Sequence, residues 1–315
     1  HRRPLLVIPP WINKYYILDL GEKKSFIRYW VEQGHTVFVV SWVNPGPELA
    51  HKTFEDYMLE GPVAAMDAIE QATGEREINT VGYCIGGTLL GCTLAWLAAR
   101  GDDRVKSATF LNSMMDFSEV GDLEVFIDED SIAKIEKAMN KQGYLEGASM
   151  ATAFNMLRAN SLIWSFFVNN YLLGRDTAPF DLLYWNSDAT RMPAAMHSFY
   201  LRNMYLNNRL REPGGITLAG TPIDLRKVKS PAYFASAIED HIAPWISCYK
   251  GARNLGGPLR FVLGGSGHIA GIINPPEKKK YGYRLNEDNP ANPEEWLKGA
   301  EQFEGSWWPD WVAWA

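Results

Sequence analysis

A cysteine in the first third of the chain stands in a context that could make it a nucleophile. Residues 82–87 read Gly-Tyr-Cys-Ile-Gly-Gly, so Cys84 has a glycine two positions before it and another two positions after it. An apolar, strand-like run precedes this segment and an apolar, helix-like run follows it. In a sharp strand-to-helix turn the middle side chain is lifted above the sheet, and a side chain at either flanking position would collide with the crossing chain. The pattern predicts a thiol at a helix N-terminus, where the helix dipole favours a thiolate.

Two side chains much later in the chain could complete a proton-transfer system with this thiol. Asp240 comes shortly after the apolar run 232–237, and His268 follows the apolar run 259–263 and a Gly-Gly-Ser-Gly stretch. A nucleophile, an acid and a histidine in this chain order, each just past a strand, is the arrangement of the α/β-hydrolase fold. We therefore predict that His268 takes the thiol proton and that Asp240 holds the imidazole ring in the required tautomer.

The residues around the predicted acid leave alternatives open. Glu239 could replace Asp240 as the acid, and His241 could either orient the acid or contact the substrate. The other two thiols, Cys92 and Cys248, fall in helix-like stretches and are predicted to be core residues. The remaining histidines lie outside any strand-end position and are interpreted as structural or exposed: His1, His35, His51 and His197.

Attack on an acyl carbon also requires hydrogen-bond donors for the oxyanion that develops. The backbone N–H of Ile85, directly after the nucleophile, is the first expected donor, and the second comes from the loop after an earlier strand. That loop is residues 9–13, Pro-Pro-Trp-Ile-Asn, which follow the strand-like run 5–8. Because proline has no N–H, we predict the N–H of Ile12 as the second donor, with that of Trp11 as the alternative.

A sheet must position these residues, and the chain contains the strands for one. Helix-like patterns at 23–33, 53–72 and 86–100 lie between strand-like runs, and each is closely followed by a glycine that could end the helix. This alternation is typical of a doubly wound, mostly parallel sheet, and together with the turn at Cys84 it predicts an α/β-hydrolase fold. Six short apolar runs are typical of buried parallel strands: residues 5–8, 36–42, 79–83, 108–111, 232–237 and 259–263.

The alternation stops near Asp116 and resumes near Lys229. We therefore predict an α/β core made of residues 1–115 and 229–315, with residues 116–228 inserted as a helical lid or cap over the carboxyl ends of the strands, where such folds bind ligands. The alternative is a separate domain unrelated to the site. The chain opens without Met and runs straight into a strand, so we expect an N-terminal domain to be absent from it.

The tail after Ile273 is rich in Pro, Lys and Asn and then in Trp. We predict an extended surface segment followed by a closing helix. A surface rich in aromatic residues suggests an interface or contact with something apolar. The alternative is that many of the tryptophans are ordinary core residues. The tryptophans that suggest the interface are Trp307, Trp308, Trp311 and Trp314.

The composition excludes several other classes of protein. Hydrophobic residues make up 46% of the chain and charged residues 22%, the balance of a soluble globular protein, and a net charge of −6 provides no basic field for nucleic acid. The longest strongly apolar stretch, Thr88 to Ala99, is too short to span a bilayer. The chain has no CxxC or HExxH pattern, so we predict no metal. Three cysteines without framework spacing suit a reducing compartment.

Five segments together resemble the catalytic domains of polyhydroxyalkanoate synthases, most closely the class that polymerises short-chain (R)-3-hydroxyacyl-CoA. The resemblance covers essentially the whole chain and is carried by residues 9–20, 82–87, 239–242, 267–271 and 305–311. It implies that Cys84 accepts the hydroxyacyl unit from CoA with His268 as base. Asp240 would either orient His268 or help to activate the incoming 3-hydroxyl group.

The resemblance also implies products, partners and a location. Repeated transfer would yield polyester and free CoA at the surface of a cytoplasmic inclusion granule, by an enzyme active as a homodimer and without a cofactor, since CoA is the leaving group. The phosphates of CoA need cations, and Arg158 in the predicted insertion is the candidate. The main alternative is a hydrolase (an esterase, lactonase or polyester depolymerase) with the same Cys-His-Asp triad. A non-enzymatic scaffold is the second alternative.

Overall fold

The computed structural model describes residues 3–149 and 181–315. Eight strands of these residues form one sheet, in the order β12-β11-β10-β9-β4-β3-β1-β2. All neighbours from β10 to β2 are parallel, whereas β11 and β12 add to the β10 edge in antiparallel fashion. The strands in chain order are β1 (Leu5–Ile8), β2 (Val37–Val39), β3 (Ile78–Tyr83), β4 (Val105–Leu111), β5 (Tyr144–Leu145), β6 (Met192–Pro193), β7 (Thr217–Leu218), β8 (Thr221–Pro222), β9 (Ala232–Ala237), β10 (Leu259–Gly264), β11 (Tyr283–Leu285) and β12 (Glu301–Phe303).

Helices cover both faces of the sheet, as expected for a doubly wound fold. π-helical turns at Leu59–Val63 and Leu201–Leu206 continue α2 and α7, respectively. The helices of the described residues are α1 (Phe26–Glu32), α2 (Phe54–Met58), α3 (Ala64–Thr73), α4 (Ile85–Ala99), α5 (Glu129–Gln142), α6 (Asp181–Ser187), α7 (Ala194–Tyr200), α8 (Trp245–Ala252), α9 (Pro293–Gly299) and α10 (Trp308–Trp314).

The helix predicted at 53–72 is divided into two parts. Thr53 caps its start with a capping box, in which the hydroxyl accepts from the N–H of Asp56 and the Asp56 carboxylate accepts from the N–H of Thr53. Pro62 lies in the π-helical turn between α2 and α3. The helix is divided there because a proline inside a helix removes one backbone donor and displaces the preceding turn. Gly74, in the left-handed conformation, ends α3.

Two predicted strands differ from their predicted bounds by more than one residue, whereas β3 and β10 each differ by one. The run predicted at 36–42 is a strand only over Val37–Val39. This strand is at the edge of the sheet and pairs only with β1, which stops at Ile8 because two prolines follow and cannot donate to a ladder. β4 begins at Val105, three residues earlier than predicted.

The tail after Ile273 ends in the predicted helix, α10, but the segment before it is not only extended surface, and that part of the prediction was wrong. It contributes β11 and β12 to the main sheet, with Leu285 paired to Val262 of β10. Each of these strands is three residues long. At that length the alternation that identifies a strand is too short to stand out from the surrounding polar sequence.

The prediction of an exposed tryptophan surface was also wrong. Of the four tryptophans near the end of the chain, three are 1% exposed and Trp314 is partly buried. Helix α10 packs these rings against α1 and the sheet. The buried indole N–H groups each donate a 2.8 Å hydrogen bond, which makes their burial favourable. The donors are Trp307, Trp308 and Trp311, and the acceptors are the carbonyls of Gly271 and Ile272 and the hydroxyl of Thr109.

The topology brings the carboxyl ends of β3, β9 and β10 to one edge of the sheet, with only β4 between β3 and β9. The described part of the chain between β4 and β9 contains α5, α6 and α7. It also contains two small antiparallel sheets of two strands each, β5 with β6 and β7 with β8. The division into a core and a lid at 116–228 stays a prediction. Within residues 3–149 and 181–315, no helix combines the length and apolar character needed to cross a membrane.

Candidate active site

Cys84 occupies the turn between β3 and α4 in a strained backbone conformation. Its φ of 53° and ψ of −127° lie in a region that residues with a side chain rarely adopt. The neighbouring glycines are required by close approach of other backbone. A methyl group at Gly82 would lie 2.5 Å from the Cα of Gly87, and one at Gly86 would collide with the carbonyl oxygen of Ile8. The predicted sharp turn is therefore present, and it presents the thiol at the N-terminus of α4.

His268 and Asp240 form a buried pair at the ends of β10 and β9. The Nδ1 of His268 lies 2.6 Å from the Oδ2 of Asp240, and the Asp240 side chain is completely buried. The other carboxylate oxygen, Oδ1, accepts hydrogen bonds from the backbone N–H groups of Ile242 and Ala243 at 2.8 and 2.9 Å. These amides fix the carboxylate, so that Oδ2 faces the imidazole. Asp240, rather than Glu239, is the residue that contacts His268.

The thiol of Cys84 lies near the His268 ring, close enough for its charge to act on the imidazole. Burial lowers the pKa of His268, but the charges of Asp240 and Cys84 and the hydrogen bond to Asp240 raise it, and the net pKa shift is upward. An imidazole with a raised pKa holds its proton at neutral pH, and the positive ring stabilises a thiolate. Cys84 itself is only partly buried, so a substrate can reach it. The geometry brings the three predicted residues together as an ordered Cys-His-Asp system.

Two residues that sequence reasoning missed hold the backbone of His268. The carbonyl oxygen of His268 accepts hydrogen bonds from the Tyr83 hydroxyl at 3.0 Å and from the Asn112 amide at 2.7 Å. The Tyr83 ring also stacks on the imidazole, with ring centres 5.7 Å apart. Asn112 follows β4 with a φ of 43°, a left-handed conformation that asparagine tolerates better than most residues. An asparagine directly after a buried strand was the only signal in the sequence.

The predicted oxyanion donors lie in the expected elements. Ile85 is the first residue of α4, so its N–H lies outside the helical hydrogen-bond ladder. The loop after β1, residues 9–14, is here called the oxyanion loop. The loop begins in close contact with α4. This closeness is shown by Gly86, where an added methyl group would collide with the carbonyl oxygen of Pro9. Trp42 donates a 2.9 Å hydrogen bond to that carbonyl and fixes the start of the loop. The donor roles of Ile85 and Ile12 stay predictions.

Three aromatic side chains between β4 and β9 pack together, and two of them lie near enough to Cys84 for its charge to act on them. Tyr200 is buried, and its ring meets that of Tyr205 in a T-shaped contact with centres 5.3 Å apart. Phe117 packs against Tyr205 at 5.0 Å. Burial raises the pKa of both tyrosines, and the charge of nearby Cys84 contributes to each rise. We call Phe117, Tyr200 and Tyr205 the aromatic wall. No motif in the sequence singled them out.

The remaining candidates are placed as follows. His241 is partly buried in the turn after Asp240, but the atoms of this turn that bind the carboxylate are backbone amides. Arg158 lies outside the described residues. Cys92 and Cys248 are buried in α4 and α8, where burial raises the pKa of each thiol, in accordance with the predicted core role. In the part of the chain that the structure describes, no three His, Cys, Asp or Glu side chains are grouped as metal ligands would be.

Comparison with known proteins identifies the fold family. The family model described as alpha/beta hydrolase fold matches residues 13–275, and the chain belongs to this family. Among solved structures, a hydrolase from Pseudomonas aeruginosa PA01 superposes with a TM-score of 0.51 at 17% identity, over 86% of this chain and 84% of that chain. A structure from work on carboxylesterases of Nitrososphaera gargenis gives 0.50 at 13% identity, over 88% and 86%. At such identities these structures support the predicted fold alone.

Closer relatives are poly(3-hydroxyalkanoate) polymerases. The chain is 56% identical to the poly(3-hydroxyalkanoate) polymerase subunit PhaC of Rhizobium meliloti, over 99% of this chain and 51% of the relative. It is 55% identical to the poly(3-hydroxyalkanoate) polymerase of Methylorubrum extorquens, over 99% and 52%, and 46% identical to the PhaC subunit of Cupriavidus necator, over 100% and 54%. The resemblance to polyhydroxyalkanoate synthases is confirmed. The chain spans about half the length of these relatives.

Proposed function

We propose that this chain carries the catalytic site of a polyhydroxyalkanoate synthase, an acyltransferase that joins (R)-3-hydroxyacyl units from CoA into polyester. The observation that supports this most directly is the buried Asp240–His268 pair beside a cysteine at the strand-to-helix turn. The identity of 46–56% to poly(3-hydroxyalkanoate) polymerases supplies the substrate class.

The first half-reaction loads the cysteine. The thiolate of Cys84 attacks the thioester carbonyl carbon, and the N–H groups of Ile85 and Ile12 stabilise the oxyanion of the tetrahedral intermediate. When the intermediate collapses, the bond to the CoA sulfur breaks, and the imidazolium of His268 donates its proton to that sulfur. The products are free CoA and an acyl group on Cys84. Because one thioester replaces another, this step is close to isoenergetic and reversible.

The second half-reaction transfers the acyl group to an alcohol. Neutral His268 takes the proton of an incoming 3-hydroxyl group as its oxygen attacks the acyl carbon, and Cys84 leaves as a thiolate beside the new imidazolium. The oxoester is more stable than the thioester, so this step runs downhill. The two oxygens of Asp240 are engaged by two amides and by His268. These contacts support an orienting role for Asp240 over direct activation of the hydroxyl group.

Polymer forms only if the acyl group on Cys84 survives in the presence of water. The aromatic wall of Phe117, Tyr200 and Tyr205 would provide apolar surface near the thiol, and Tyr200 is only 6% exposed. Excluding water from a reactive intermediate is a recognised function of such enclosures. We propose that the wall favours transfer to a hydroxyl group of the polyester over hydrolysis.

The proposal has further parts that follow from the family resemblance. We propose short-chain substrates such as 3-hydroxybutyryl-CoA, no cofactor beyond the CoA of the substrate, a homodimer, and a location at the surface of cytoplasmic polyester granules. Residues 116–228 would serve as the lid that controls access. Arg158 remains a proposed contact for the phosphates of CoA.

The experiment uses (R)-3-hydroxybutyryl-CoA and three readouts. Free CoA is followed with a thiol reagent, polymer is followed by turbidity, and the acylated peptide is mapped by mass. We expect CoA release with polymer and acyl mass on the peptide that contains Cys84. Cys84→Ala and His268→Gln should each lose at least about 10²-fold of the rate, whereas Cys92→Ala is the matched thiol control and should retain activity. CoA release with soluble 3-hydroxy acid and no polymer would identify a hydrolase instead. Equal turnover of all variants would refute a catalytic role for this site.

A further inference from the structure

A segment far along the chain binds the oxyanion loop. Residues 185–190, which comprise the end of α6 and the three residues after it, are here called the clamp segment. Ala189 forms an antiparallel bridge with Asn13 of the oxyanion loop. The N–H of Thr190 donates a 2.8 Å hydrogen bond to the carbonyl oxygen of Ile12. The oxyanion loop is therefore held as if it were one strand of a short β-ribbon.

Side chains reinforce this backbone pairing from both sides. The indole N–H of Trp185 donates a 2.8 Å hydrogen bond to the carbonyl of Lys14, and the Asn13 amide donates to the carbonyl of Trp185 at 3.3 Å. Asp188 accepts from the Lys14 ammonium at 2.6 Å and from the Tyr16 hydroxyl at 2.8 Å. A loop between a strand and a helix is commonly mobile, but here every residue from Trp11 to Lys14 has a partner in the clamp segment.

The contact closest to the proposed chemistry is made by Thr190. This residue is 2% exposed, and its hydroxyl donates to the carbonyl oxygen of Trp11. The carbonyl of Trp11 and the N–H of Ile12 belong to the same peptide unit. In a planar trans peptide the C=O and the N–H point in opposite directions, so holding the oxygen fixes the direction of the N–H. A hydrogen bond to the oxygen also polarises the unit and makes the N–H a better donor.

We infer that Thr190 is a positioning residue that aims the N–H of Ile12 at the oxyanion. Through the clamp segment, the part of the chain between β4 and β9 thereby contributes to the catalytic machinery. The inference rests on the proposed function, because it concerns the stabilisation of an oxyanion formed on Cys84. Thr190 acts through the peptide of Ile12 and does not touch the substrate. Its contribution belongs to the transition state, since the hole is matched to the charged oxygen and not to the ground-state carbonyl.

The test compares two reactions of the same thiol in the whole protein. Acylation of Cys84 by 3-hydroxybutyryl-CoA passes through an oxyanion, whereas alkylation by iodoacetamide is a displacement at carbon and does not. Loss of one oxyanion donor costs about 10²–10³-fold in rate, and a misdirected donor costs a part of that. For Thr190→Val, which keeps the shape and removes the hydroxyl, we expect acylation to slow by about ten- to a hundredfold in kcat with little change in KM. Alkylation should keep the wild-type rate and pH profile.

Two further variants keep the test independent of folding defects. Thr190→Ser restores the hydroxyl and should recover most of the acylation rate. Asp188→Asn, on the more exposed side of the clamp, should slow acylation severalfold and leave alkylation unchanged. If Thr190→Val acylates at the wild-type rate, or if acylation and alkylation fall together, the inference is wrong. If the wild-type protein is alkylated at Cys84 but is never acylated there, it is the proposed function that fails.

Discussion

Replacing Asp240 with asparagine should remove most of the reactivity of Cys84 at neutral pH. The carboxylate is completely buried, and its Oδ2 lies 2.6 Å from the Nδ1 of His268. Two unit charges with centres about 4 Å apart interact by about 4 kcal/mol at an effective dielectric constant of about 20, and one pKa unit corresponds to about 1.4 kcal/mol. The pKa of His268 should therefore fall by about three units, which reduces the thiolate–imidazolium population by as much as about a thousandfold.

The assay is the rate at which iodoacetamide alkylates Cys84 as a function of pH. In the wild-type protein the raised pKa of His268 keeps the imidazolium present beside the thiol at neutral pH, and a neighbouring imidazolium favours nucleophilic attack by sulfur. The rate should already be high there. In Asp240→Asn the rate should instead rise only as an isolated thiol ionises, near pH ~8.5. Glu239→Gln, the neighbouring carboxylate, is the matched control and should keep the wild-type profile. An unchanged profile in Asp240→Asn, or an equal change in Glu239→Gln, would refute this account of the site.

Two other perturbations test the supports of the site. Asn112→Ala removes the 2.7 Å hydrogen bond to the carbonyl of His268, and misplacement of the imidazole should lower kcat by about ten- to a hundredfold at similar KM; a change in KM alone would contradict this. Burial lowers the pKa of His197 to about 4, against about 6.5 in an unfolded chain. Between these pH values the unfolded chain binds more protons, so the free energy of unfolding should decrease by up to about 3 kcal/mol as the pH is lowered from about 6.5 to about 4. Urea unfolding of His197→Gln should lack that decrease, and equal pH dependence in both proteins would show that His197 is not its source.

The parts of the site that follow strand ends could be predicted from the sequence. Buried parallel strands are short continuous apolar runs, and β1 and β9 have the bounds that these runs predict. The carboxyl ends of such strands meet at one edge of the sheet. Asp240 and His268 could therefore be placed together although 28 residues separate them in the chain. The glycines around Cys84 identified the turn because close backbone approach excludes other residues there.

Contacts between segments that are distant in the chain could not be predicted. Thr190 and Trp11 lie 179 residues apart, and nothing in the sequence connects Thr190 to the segment 9–20 that contains Trp11. A threonine that holds a carbonyl has the same appearance in a sequence as any buried threonine. Composition likewise could not show which side of α10 is covered, so the tryptophans of the tail were wrongly placed on the surface. Hydrophobic residues occur in interfaces and in the core alike.

Backbone groups near the proposed reaction centre are held by partners from other parts of the chain. Tyr83 and Asn112 hold the carbonyl of His268, and Thr190 holds the carbonyl of Trp11. Two amides of the turn after β9 hold the Oδ1 of Asp240. Because the reacting side chains and donors are ordered by folding, they need little reorganisation when charge develops on a substrate, and this preorganisation is the main source of electrostatic catalysis. A site ordered in this way should lose kcat rather than affinity when one of the supports is removed.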